Sequence, residues 1–153
     1  MEQFERAERY LQKIKNIYHG KCDKILGRNT KFHDPHYEDE ILSFFMHCYH
    51  IKDWIEHLNK NDLKKKEIES FINKNQCLKI CADLCNGTKH CKLTRHPRSG
   101  KEPYIASGTL SEGNWTYEIA GPDQLHDALA LAIECMDCWR HYIHDQNIRP
   151  KDQ

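Results

Sequence analysis

Ile80-Cys-Ala-Asp-Leu-Cys-Asn-Gly-Thr-Lys-His90 is the stretch whose reading sets the fold. Plotted as a helix at about 100° per residue, it separates into two faces. Cys77, Leu78, Ile80, Cys81, Leu84 and Cys85 share one broad arc. Asp83, Asn86 and His90 share a narrow arc opposite, at i, i+3, i+7. An apolar arc of that width enters a core. The polar trio behind it is either a site or an ordinary solvated face. The spacing predicts a helix over 76–88, with Gly87 ending it and His90 left in a loop.

Upstream lie three more helical patterns. Phe4, Ala7, Leu11, Ile14, Ile17 and Tyr18 recur at helical spacing over 2–18, and Gly20 is a natural stop. Residues 20–34 have no periodicity and are expected to form a loop. Asp34-Pro35 opens a second helix to about Asn59, with Asp as cap and Pro at the first helical position. Glu38, Asp39 and Glu40 follow where the helix dipole favours acids. Phe44, Cys48, Ile51, Ile55 and Leu58 form one apolar face, and Leu42, Met46 and Tyr49 cover much of another. Apolar residues on two sides mark a central helix. His50, Asp53 and His57 share an arc of about 60° on it. His47 falls nearer the apolar arc and reads as a core histidine, and Trp54 lies between the arcs. Asn61 or Asp62 caps a third helix to about Asn73, on which Lys64-Lys65-Lys66 is a solvated face.

Downstream the composition shifts. Lys89, Lys92, Arg95, Arg98 and Lys101 accumulate with His90 and His96, and no acid intervenes before Glu102. Tyr104–Leu110 and Asn114–Ala120 alternate weakly around Ser111-Glu112-Gly113, which predicts a β-hairpin. Gly121-Pro122-Asp123 is expected to open a last helix to about Ile148, with Leu125, Leu131, Cys135, Trp139 and Tyr142 on its core face. The expected fold is therefore mainly α: an up-and-down helical bundle of about five helices with a small β-hairpin insertion near 104–120, one domain over 1–153.

A length of 153 residues suits one domain with a sizeable core. The composition is 30% charged and 39% hydrophobic, and no apolar run is long enough to span a bilayer. The charged N-terminal stretch Met-Glu-Gln-Phe-Glu-Arg has no apolar signal region, so a cytoplasmic protein that does not contact the membrane is expected. Zero net charge supplies no global pull towards nucleic acid, so any attraction must be local.

Eight cysteines and eleven histidines raise the question of a metal. Cys135, Cys138, His141 and His144 follow at steps of three, which spreads them over about 180° of the helix, so they cannot converge on one ion. A zinc site would need ligands from elsewhere, such as Cys85, His90 or Cys91, in a spacing unlike a finger or ribbon. The expectation is no metal and no cofactor, with a structural zinc protein as an alternative. The cysteines read as reduced, small, buried hydrophobes. Only Cys91, amid basic residues, suits a reactive thiol. There is no phosphate-binding Gly-rich loop and no Gly-x-Ser-x-Gly elbow.

Two polar stripes remain, His50/Asp53/His57 and Asp83/Asn86/His90. Facing one another, they would make a cluster of imidazoles, carboxylates and an amide able to do acid–base chemistry near neutrality. The alternative is a hydrogen-bonded polar seam that fixes helix register.

Cys48-Tyr-His-Ile-Lys-Asp-Trp54 and Ala82-Asp-Leu-Cys-Asn-Gly-Thr-Lys-His90 resemble small bacterial and phage proteins of unassigned function. Those proteins carry a His-x-x-Asp-Trp helix and an Asp-x-x-Asn-x-x-Lys-His helix. Their helical layout is similar to the HEPN superfamily, many of whose members are dimeric, metal-independent ribonucleases of defence and toxin–antitoxin systems. The family motif is an Arg followed four to six residues later by a His, commonly beginning Arg-Asn. Asn86 and His90 match its Asn and His, whereas Cys85 stands at its Arg. The resemblance implies a homodimer that binds RNA or a nucleotide. His90 would be the general acid or base, with Asn86 orienting it or the phosphate. Lys89, Lys92, Arg95 and Arg98 would hold the RNA backbone. The loss of the Arg leaves two further readings, a non-catalytic nucleotide- or protein-binding module and the structural zinc protein.

Overall fold

Ala7, Leu11, Ile14 and Ile17 are all buried along one side of the first helix, α1 (Glu2–Tyr18), as their spacing requires. In the computed structural model, which describes residues 2–20, 35–58, 62–90 and 96–148, this helix packs mainly on the second. The helices that follow are α2 (Pro35–Tyr49), α3 (Ile51–Leu58), α4 (Asp62–Lys74) and α5 (Gln76–His90). Three strands, β1 (Tyr104–Ser111), β2 (Asn114–Ala120) and β3 (Leu125–Asp127), precede the last helix, α6 (Ala128–Asp145). The chain is mainly helical with a small antiparallel sheet. No described helix is long and apolar enough to cross a membrane.

The core lies where α2 meets α1, α5 and α6. Phe44, Phe45 and Cys48 from α2, Leu78, Cys81 and Cys85 from α5, and Cys135, Met136 and Trp139 from α6 are buried there. The sheet closes one side: Trp115, Tyr117 and Ile119 of β2 point inward, alternating with exposed neighbours, against α1 and α6. Tyr18 ties these parts together, since its hydroxyl accepts from Tyr117 N–H at 3.0 Å and contacts Asp127 Oδ2 at 3.0 Å. Burial pushes its pKa up to about 12, with the neighbouring Asp127 charge adding to the effect.

Four sequence expectations change. The helix expected over 35–59 is two, meeting at His50, whose N–H still reaches Met46 O at 3.2 Å; residue 59 lies outside the described residues. Gly87 does not end α5, which runs on to His90, and Thr88 Oγ1 donates to Leu84 O inside it at 2.7 Å. One internal glycine costs about 1 kcal/mol, too little to stop a packed helix. The hairpin gains a third strand: after a tight turn in which Gly121 N–H donates to Gln124 O, Leu125–Asp127 pairs with the free edge of β2. Unpaired main-chain groups on that edge outweigh the helix-start signal at Gly121-Pro122-Asp123. The last helix accordingly begins at Ala128, capped by the Asp127 carboxylate on Ala130 N–H. The loop expected at 20–34 lies outside the described residues from residue 21 onward.

Candidate functional site

His50 sits at the junction of α2 and α3, and its Nδ1 is 2.6 Å from Asp53 Oδ2 one turn on. That contact orients the ring and leaves Nε2 directed to the α5 side, 3.9 Å from Cys85 Sγ. The pair opens into a surface cleft of about 330 Å³, lined by Gln3, Arg6, Met46, His47, His50, Asp53 and Trp54. Trp54 is one of the large apolar side chains left exposed, at 36%. His47, read as a core residue, is instead half-buried in this cleft, its ring tilted by 38° against Tyr10 at 4.7 Å between ring centres. Buried Gln3 donates to His47 O at 2.8 Å and fixes the cleft floor. Burial lowers the His47 pKa, and the charges of Arg6, His50, Arg9 and Lys13 push it the same way. Arg6 is itself ion-paired with Glu2 at 2.8 Å, and Asp53 adds an acid, so the cleft carries charges of both signs.

The second stripe is divided. Asp83 is not on a solvated face: it is 3% exposed, and its carboxylate accepts from Arg98 N–H, Ser99 N–H and Ser99 Oγ at 2.9, 2.7 and 2.6 Å. It pins the turn after α5 to the helix. His50 meets α5 at Cys85, about 160° round from Asp83, so these two members of the stripes face different neighbours. Asn86 is half-buried, and His57 is exposed at the far end of α3. The backbone of Lys89 and His90 forms the last turn of α5, and their side chains lie outside the described residues.

Of the basic segment, Lys92 and Arg95 lie outside the described residues. Arg98 is ion-paired with Glu69 of α4 at 2.8 Å, and Glu69 also takes Lys52 Nζ at 2.9 Å. Burial acts to raise the Glu69 pKa, but the hydrogen bond and charge of Lys52, joined by Arg98, bring it below the usual range. A second cleft, of about 290 Å³ beside Gly87, is lined by Glu38 and Glu102 without a cation. It is unsuited to phosphate.

The cysteines and histidines of α6 do not converge, as the steps of three require. His141 Nδ1 lies 2.8 Å from Asp137 O, and His144 is exposed beside Asp145. Cys138 pairs with Cys77, sulfur to sulfur, at 3.5 Å. The described cysteines are free thiols, and Cys91 lies outside the described residues.

No family model, no curated protein and no solved structure matches the chain. The geometry adds Gln3 and Arg6 to the residues that sequence reasoning singled out, and it gives Trp54 of the His-x-x-Asp-Trp segment a place in the cleft. Arg6 lay on a helix read only for its apolar stripe, and nothing in its local pattern signals the cleft. Trp54 carried a signal, a large aromatic outside both arcs.

Proposed function

We propose that the chain is a HEPN-like protein, an up-and-down bundle over a single domain, that binds RNA and cleaves it without a metal. It would act as a cytoplasmic homodimer in phage defence or a related stress response. The observation that carries this reading is the His50–Asp53 contact at 2.6 Å in a cleft that also holds Trp54 and Arg6. An exposed indole stacks a base, Arg6 exchanges its exposed partner Glu2 for a phosphate, and an oriented imidazole moves a proton. His90, on the helix that His50 touches, serves as general acid or base on the ribose 2′-hydroxyl or the leaving oxygen. Asn86 orients it or the phosphate. Lys89, Lys92 and Arg95 hold the RNA backbone. Asp83 holds the end of that basic segment, at Arg98 and Ser99, against α5. Dimerisation would bring two such helices together across a twofold axis.

The test is RNA cleavage by purified protein with EDTA present. Wild type should cleave, and His90→Ala and His50→Ala should lose most of the activity. Equal rates for wild type and His90→Ala would sink the ribonuclease reading. A second reading, a non-catalytic nucleotide- or protein-binding module, is favoured by two observations: Cys85 replaces the motif Arg, and Arg98 is committed to Glu69. It expects calorimetric binding of nucleotides or RNA, weakened by Trp54→Ala, with no cleavage.

A further inference from the structure

Cys48 of α2, Cys81 of α5 and Cys135 of α6 are remote in sequence, yet their sulfurs all lie within 4.8 Å of one another. All three residues are completely buried. Each comes from a different helix, so their convergence is fixed by the packing of the core.

Three thiols at one point are a poor choice of hydrophobe, since Val or Leu would bury more apolar surface in the same layer. Two of the sulfurs rest on main-chain carbonyls, Cys81 on Phe45 O at 3.3 Å and Cys135 on Cys77 O at 3.4 Å. Those are weak hydrogen bonds donated by the thiols, readily given up. An independent observation lies next to them. The Trp139 indole N–H is buried and has no hydrogen-bond partner among the described residues. A buried donor left unpaired costs about 1–3 kcal/mol. The indole sits against Cys48, which places this donor beside the three sulfurs. An anionic sulfur at Cys48 would satisfy it.

We propose that Cys48, Cys81 and Cys135 form a three-sulfur site for a soft, thiophilic metal ion in the helical core. With metal–sulfur bonds of about 2.3 Å, trigonal coordination places the sulfurs about 4 Å apart, so closure needs shifts below 1 Å. The donor set is all sulfur, which selects soft ions over magnesium or calcium. On binding, three S–H bonds break, three metal–sulfur bonds form, and the protons go to solvent. The site uses none of the residues lining the His50 cleft and does not depend on the RNA reading.

The experiment is titration of the reduced full chain with cadmium ion, without oxygen. The expected result is one ion per chain, with an ultraviolet sulfur-to-metal charge-transfer band and a raised melting temperature. Cys81→Ala should lose the band, and Cys138→Ala, outside the triad, should keep it. No band in the wild type, or equal loss in both variants, overturns the site. Should Cys81→Ala fail to fold, X-ray absorption on the wild-type complex decides. Three sulfur neighbours uphold the site, and nitrogen or oxygen neighbours overturn it.

Discussion

Asp83 shows how a single residue can be correctly placed and wrongly surrounded. Its spacing put it opposite the apolar arc, and it is there, but the 98–99 turn covers it and gives its carboxylate three donors. Helical periodicity reports direction, and it carries no information about which distant segment lies over that face. Asp83→Ala would strand two main-chain N–H groups, and we expect a loss of about 3 kcal/mol in denaturant unfolding, with Asp83→Asn losing less because it keeps an acceptor. Tyr18 belongs to the same scale. Its phenol is held neutral to about pH 12 in the folded chain, against an ordinary value of 10.0. Above pH 10 the unfolded chain gives up a proton that the folded chain keeps, so stability falls as pH rises through that window. Thermal melts of Tyr18→Phe should show a shallower decline over the same range.

At the level of elements, the helices were legible and their ends were not. α1 and the cysteine-lined face of α5 follow from apolar spacing alone, because burying that stripe is what makes each helix stable. The hairpin was legible from its turn, where Glu112 and Gly113 both take positive φ, as a two-residue connection requires. β3 was not, because three residues acquire strand geometry only from the edge they join. Gly20 links two of these elements. Its φ is +62°, and a Cβ there would stand 2.6 Å from Gly113 O in the hairpin turn. Gly20→Ala should therefore lower stability by about 1–2 kcal/mol or more, combining left-handed backbone strain with a main-chain clash. Hydrogen exchange should locate the loosening at the end of α1 and the hairpin tip together. Protection lost at α1 alone would contradict the contact.

For the whole molecule, Glu69 joins three separate segments through Lys52 of α3 and Arg98 of the turn after α5. Both ion pairs are shielded enough to contribute, and Glu69→Gln should cost about 1–2 kcal/mol in chemical unfolding. The folded pKa of Glu69 lies below its ordinary 4.5, so its stabilisation is present above that value and lost as pH falls through the folded pKa. The acid limb of wild-type stability should be steeper than that of the variant. The same tertiary arrangement paired Arg98 with Glu69, brought Arg6 of α1 beside His50 and Trp54, and gathered three cysteines from three helices. By itself, the sequence determined the helical class, the core stripes, the hairpin and the His50–Asp53 spacing, because each is set by neighbours within a turn or two of chain. Only the tertiary structure decided which polar residues share a cleft, which carboxylate is buried and where sulfurs converge. Those depend on packing between segments far apart in sequence, where local periodicity has no reach.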